Sequence, residues 1–246
     1  MKTIKLTEET MKRGNLILVN AGHPLTSSAA PRCLPVSPDT PKILLEVRAA
    51  TCLQQLIASV GGQQEITAVS GYRCRQEQQE IYDSSMVEKG PDFTRRFVAV
   101  PGCSEHESGL AIDLAKSADH IDFIRPCFPD SGICGSFRRA AGRYGFVQRY
   151  MADKETLTGI ACEPWHFRYV GYPHAVIMER LQLCLEEYLC YLRRFPWGGN
   201  PLKFTADGRT IEIYWASGQG EIGIPDQRLG EVSGTNAGGH VITLWQ

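Results

Sequence analysis

Ser104-Glu105-His106-Glu107-Ser108-Gly109-Leu110-Ala111-Ile112-Asp113-Leu114-Ala115 is the stretch whose reading decides the fold. From Gly109 onward it alternates in the manner of a β-strand. Leu110, Ile112 and Leu114 face one way, and Ala111, Asp113 and Ala115 face the other. A carboxylate flanked by alanines on the less bulky side of a strand is poorly placed for core packing and well placed to line a cleft. His106 lies just upstream, joined to Asp113 through a glycine-containing turn.

Working outward, Leu16-Ile-Leu-Val19 reads as a strand ending in the turn Asn20-Ala21-Gly22-His23-Pro24. Residues 23–41 carry five prolines and read as irregular. Apolar residues at 43, 44, 47, 53, 56, 57 and 60 predict a helix running from Pro41 and closed by Gly61-Gly62. Ile66 to Val69 is a short strand, 75–89 an amphipathic polar helix, and 90–103 a loop. A loop with Pro126, Pro129 and Gly132 precedes a short helix from Phe137 to Tyr144, closed by Gly145. Phe146–Tyr150 and Trp165–Val170 read as strands, and 174–194 as one helix with Val176, Ile177, Leu181, Leu185 and Leu189 near one face. After Arg194 the helical period disappears. Glycine-rich sequence with β-like runs at 202–204, 210–215 and 240–245 predicts a small β appendage over 196–246. The fold class expected is α+β: a small, mainly antiparallel sheet with helices packed to one side. The boundary is expected between a domain of residues 1–195 and the extension 196–246.

Composition excludes several classes. The net charge of −1 gives no bulk electrostatic case for nucleic acid or a membrane surface. No apolar run reaches the length of a transmembrane helix, and the basic N-terminus lacks the apolar stretch of a secretory signal. The nine cysteines are odd in number and form no C-x-x-C pair, so they read as reduced, mostly buried thiols in a reducing compartment. Cys127 and Cys134 flank a Pro/Gly-rich loop and are the pair that export would allow to join.

Three segments carry chemistry: Ser70-Gly71-Tyr72-Arg73, Ser104 to Asp113, and Glu163-Pro164-Trp165-His166. A catalytic zinc typically takes three ligands from His and carboxylate, with a fourth position open to water. His106, Asp113 and His166 can make such a set. Glu163 is the natural general base. Arg73 is the candidate for stabilising a developing oxyanion. Pro164 is expected to interrupt a regular strand between Glu163 and His166, so pleat parity does not fix their geometry. Each residue alone also has a structural reading: Asp113 capping a turn, Arg73 pairing with a surface acid, Ser104 as a helix cap.

Taken together and in order, these segments resemble the zinc D-alanyl-D-alanine carboxypeptidases of the VanY type and the related VanX dipeptidases. The pattern is Ser-Gly-Tyr-Arg, then Ser-x-His-x-x-Gly-x-Ala-x-Asp, then Glu-x-x-His. The likeness extends from Leu16 through the helix ending near residue 194 and includes Gln78, five residues after the arginine. Cys74 stands where the family commonly has Ser or Thr. The resemblance implies one zinc ion held by His106, Asp113 and His166. It implies Glu163 as catalytic base, Arg73 as transition-state stabiliser, and Ser104 and Gln78 as substrate contacts. Without a recognisable anchor, the chain resembles the cytoplasmic VanXY type with a C-terminal extension, as in the VanG resistance system. The partners then implied are small peptides: D-Ala-D-Ala and the D-Ala-terminated muramyl pentapeptide precursor, whose removal confers vancomycin resistance. The alternatives are a carboxypeptidase only, an L,D-endopeptidase on the same fold, or a non-catalytic zinc-binding module. The segments 84–103 and 151–162 border the site in sequence and are expected to control substrate size.

Overall fold

The computed structural model describes residues 1–26, 30–206 and 208–245. Part of the irregular segment expected at 23–41, residues 27–29, lies outside the described residues, as do 207 and 246 of the C-terminal extension.

The chain opens with strand β1 (Lys2–Leu6) and a single helical turn α1 (Glu8–Met11). Leu16 to Val19 is buried as expected, but it is not a strand. Only the bridge between Asn20 and His23, closing the expected turn, carries β pairing there. Strands β2 (Cys33–Pro35) and β3 (Leu44–Glu46) pair antiparallel, which corrects two expectations. Residues 23–41 contain a strand, and the following helix α2 (Val47–Ser59) starts six residues after Pro41. Glu46 sets that start, because its carboxylate accepts from the backbone N–H groups of Arg48 and Ala49 at 2.8 and 3.2 Å.

Strand β4 (Ile66–Ser70) leads into helix α3 (Arg75–Glu88). Cys74 occupies the cap position, and Glu77 reaches back to its N–H at 2.7 Å, so the cap is closed from the glutamate side. The expected loop at 90–103 holds a helix, α4 (Pro91–Phe97), with proline in its first turn after Gly90 at φ +84°. Strand β5 (Ala111–Lys116) follows a 3₁₀ turn at Glu105–Ser108.

Helix α5 (Gly132–Ala141) begins five residues earlier than expected. Its two glycines read as loop, yet Cys134, Phe137 and Ala141 bury one face. Strand β6 (Phe146–Tyr150), the single turn α6 (Glu155–Thr158) and strand β7 (Glu163–Tyr169) follow. The expected helix 174–194 is two helices, α7 (His174–Leu181) and α8 (Leu185–Leu192), broken at Gln182 with φ +53°. Strands β8 (Leu202–Ala206), β9 (Arg209–Ser217), β10 (Gly220–Ile224), β11 (Leu229–Gly234) and β12 (Gly239–Trp245) complete the chain.

The chain divides into two compact units. The unit Val19–Cys184 contains the four-stranded antiparallel sheet β4-β5-β7-β6. Leu53 and Leu56 of α2 are fully buried, as is the aromatic cluster of Phe137 and Phe167 with rings 5.0 Å apart. This is the α+β arrangement the sequence predicts. The other unit joins Met1–Leu18 to Leu185–Gln246. Its four-stranded sheet runs β11-β12-β9-β8, and β1 pairs with β10 from Lys2↔Ile224 to Leu6↔Gly220. Leu6, Ile222, Ile224, Ile242 and Leu244 form its apolar core.

Among the described residues no helix is long and apolar enough to cross a membrane. All nine cysteines are free, including Cys127 and Cys134. Only Cys134 and Cys184 are buried, which corrects the expectation of mostly buried thiols.

Candidate metal centre

Register brings the ligands together. Asp113 on β5 lies directly opposite His166 on β7, so their side chains leave the same face of the sheet as neighbours. His106 arrives from the preceding 3₁₀ turn, which ends at Gly109 with φ +72°. A Cβ at Gly109 would also press against Pro31 and Cys33 at 3.0 and 3.3 Å, so both the backbone angle and the space favour glycine. The three side chains are buried, and one ligand atom from each lies within 4.8 Å of the others.

The two imidazoles turn opposite nitrogens to Asp113. His106 Nδ1 lies 2.7 Å from the Gly71 carbonyl, which leaves Nε2 toward Asp113 Oδ2 at 3.1 Å. His166 turns Nδ1 to Asp113 Oδ1 at 2.9 Å, and its Nε2 is buried without a hydrogen-bond partner. Gly71 reaches His106 because β4 bulges: Ala68 pairs with Leu114, but Ser70 pairs with Asp113. A Cβ on Gly71 would lie 2.2 Å from the Leu44 carbonyl oxygen, which explains the glycine of Ser-Gly-Tyr-Arg.

Glu163 joins the same gap through a second irregularity. Strand β7 runs from Glu163 through Pro164, and its regular pairing is interrupted there as expected. Between Phe167↔Gln148 and Glu163↔Tyr150, four steps on β7 oppose two on β6. Residues 163 and 166 would face opposite ways in a regular strand; here Glu163 Oε2 lies 3.7 Å from His166 Nδ1. Arg73 completes the cluster, with Nη2 3.9 Å from Asp113 Oδ2. Ser104 and Gln78 line the same pocket, so all seven residues singled out in the sequence converge. Phe97, Val98 and Ala99 from the segment 84–103 and Ile160 from 151–162 border it, joined by Phe123 and Ile124 from a loop the sequence did not single out.

The electrostatics are those of an acidic cluster that favours positive charge: burial alone would lower His166, but Asp113 and Glu105 raise it to about 9. Burial raises Glu163 to about 8, and Asp113 adds to the rise against the pull of His166 and Arg73. Burial, and then Arg73, lower His106 to about 4, which favours the neutral ring a metal requires. Burial alone would raise Asp113, but His106 and His166 hold it well below the usual carboxylate range. Burial likewise opposes ionisation of Glu105, yet Arg149 and Arg168 keep it well below that range.

Sequence reasoning missed this last group. Glu105 accepts from Arg149 Nε at 2.8 Å and from Arg168 Nη1 at 2.7 Å, with all three side chains buried. Tyr150 packs its ring 4.8 Å from that of His166 and was also missed. The available signal was an arginine inside each of two strands, Arg149 in Phe146–Tyr150 and Arg168 in Glu163–Tyr169.

A buried two-His, one-carboxylate set facing a pocket, with a buried glutamate beside it, defines a candidate metallopeptidase centre. Comparison with known proteins gives the family. Residues 42–172 match the model of VanY, D-alanyl-D-alanine carboxypeptidase. The chain is 41% identical over 179 residues to the bifunctional D-Ala-D-Ala dipeptidase and carboxypeptidase VanXYC of Enterococcus gallinarum, covering 72% of this chain and 94% of that one. A crystal structure of the vancomycin resistance D,D-dipeptidase VanXYg with a D-Ala-D-Ala phosphinate analog superposes with a TM-score of 0.97 at 44% identity, covering 100% of this chain and 99% of the other. A mutant of the D,D-pentapeptidase VanY from a VanB-type cassette, in complex with Zn(II), gives a TM-score of 0.58 at 33% identity over 71% of this chain and 98% of that one. The chain belongs to the VanY family of D-alanyl-D-alanine carboxypeptidases and is a peptidase.

Proposed function

We propose that the chain is a zinc-dependent D,D-peptidase. On this reading it hydrolyses free D-Ala-D-Ala and also removes the terminal D-Ala of muramyl pentapeptide precursors, in the cytoplasm, and so confers vancomycin resistance. The observation that carries the reading is Glu163, buried beside the His106–Asp113–His166 cluster and 3.7 Å from His166 Nδ1. The cluster fits zinc on its own chemistry. It offers two imidazole nitrogens and one carboxylate, packed together, with the other nitrogen of His106 already engaged by a carbonyl.

Bound zinc supplies a water made acidic enough to attack near neutral pH. The remaining roles belong to the chain. Glu163 Oε2 takes the proton of the attacking water and passes it to the leaving amine of D-alanine. The Arg73 guanidinium, whose buried Nε has no hydrogen-bond partner, faces the charge that develops on the carbonyl oxygen. Gln78 donates from Nε2 to the Ala99 carbonyl at 2.8 Å, which leaves its buried Oε1 to accept a substrate N–H. Ser104 lines the same pocket and is assigned a substrate contact. Catalysis is assigned to residues 1–195, and the extension 196–246 lies outside the site.

Dipeptidase activity is supported by the full-length likeness to VanXYg, and dual activity by the identity to VanXYC. The test is hydrolysis of D-Ala-D-Ala and of a D-Ala-terminated pentapeptide precursor by one purified sample whose zinc content is measured. Turnover of both substrates with one zinc per chain is expected. A sample that cleaves only the pentapeptide would reduce the enzyme to a carboxypeptidase.

A further inference from the structure

The family pattern leaves the residue between Ser104 and His106 undefined, and the structure gives it a task. Glu105 is buried and lies along the same pocket as Asp113 and Glu163. Its Oε1 is occupied twice, by Arg149 Nε and Arg168 Nη1. Its Oε2 has no hydrogen-bond partner, and neither does His166 Nε2. These two buried polar atoms face one another at 3.5 Å. A buried donor and a buried acceptor left unmet side by side are costly, and a small movement of the ring joins them. On its other edge His166 presents Nδ1 to Asp113 and Glu163.

We propose that Glu105 is the positioning residue of the metal centre: Oε2 accepts the Nε2–H of His166, fixes that tautomer, and so leaves Nδ1 as the atom that binds zinc. The inference rests on the zinc reading above. Arg149 and Arg168 hold the carboxylate by its other oxygen, which fixes the place of Oε2 beside His166. The same logic operates on His106 with the nitrogens exchanged, since the Gly71 carbonyl engages Nδ1 and frees Nε2. The two histidines therefore bind through different nitrogens, one oriented by a neutral carbonyl and the other by a carboxylate. A carboxylate in that place orients the ring and also makes it a stronger donor to the metal.

The test uses the full chain. In the zinc-loaded wild type, a long-range ¹H–¹⁵N correlation spectrum of the histidine rings should show His166 protonated at Nε2 and metal-bound at Nδ1. The opposite tautomer overturns the proposal. Glu105→Gln, checked for folding by circular dichroism, should bind zinc about 10–100-fold more weakly in competition with a chromophoric chelator. Wild-type affinity in a folded Glu105→Gln variant also overturns it. Should that variant fail to fold, the wild-type tautomer decides alone. A wild type that binds no zinc overturns the metal reading and this role with it, whereas the wrong tautomer on bound zinc overturns this role only.

Discussion

The unit Val19–Cys184 and the unit formed by Met1–Leu18 and Leu185–Gln246 fill their interiors differently. The first buries Glu105, His106, Asp113, Arg149, Glu163, His166, Arg168 and His174; the second, among the described residues, buries only Glu212 and His240 of its acidic, basic and histidine side chains. Its centre is aliphatic, with Ile222, Ile224, Ile242 and Leu244. Burying a charge is costly unless it is paired, and breaking such a pair costs about 3–5 kcal/mol. A fold therefore keeps a cluster of this kind where chemistry needs it. In the first unit nearly every buried charge is a site residue or touches one, as Arg149 and Arg168 touch Glu105. Among the described residues, no cluster of three metal-ligating side chains lies in the second unit.

Substitutions can break that contrast. Apart from the general base, the largest effect is expected at Arg73, where Arg73→Met should lower kcat/KM by about 10²–10³ with zinc content unchanged. A loss below tenfold in a steady-state assay would remove Arg73 from the transition state. In the other unit, Ile242→Ala empties part of the aliphatic core and should cost about 2–5 kcal/mol of that unit's stability. Chemical denaturation should show this loss, while kcat stays at the wild-type value. A matching fall in kcat would mean that the two interiors are not separate in function.

The smallest effect distinguishes the two structural histidines. Burial lowers His174 to about 3, and it lowers His240 as well. Below the ordinary histidine value of ~6.5 the unfolded chain takes up a proton that folded His174 refuses, so stability falls as pH drops from there toward about 3. His174→Gln should flatten this acid-side decline, seen as melting temperature against pH, and His240→Gln should flatten it less. Equal flattening would contradict the larger downward shift of His174.

The site was more legible than its surroundings. His106, Asp113, Glu163, His166 and Arg73 sit in short motifs whose residue types carry their chemistry, and alternation placed Asp113 on the open face of its strand. The two bulges were not legible. Pro164 reads as a strand breaker; it lies in β7 where three residues oppose one, and the direction in which that distortion turns Glu163, toward His166, is not written in the sequence. Pairing between β1 and β10 joins positions more than two hundred residues apart, and no local pattern announces it. The break at Gln182 is hidden because the apolar period continues across it into α8. Glu105 escaped notice because a charge beside a ligand reads as solvent-facing until Arg149 and Arg168 are seen to enclose it.

The most direct test of the central claim is Glu163→Gln, with zinc content and hydrolysis of D-Ala-D-Ala measured on the same preparation. Glutamine keeps the shape of the side chain but cannot take the proton. One zinc per chain with turnover reduced by about 10²–10⁴ is the expected result. Hydrolysis at the wild-type rate would contradict the account at its centre.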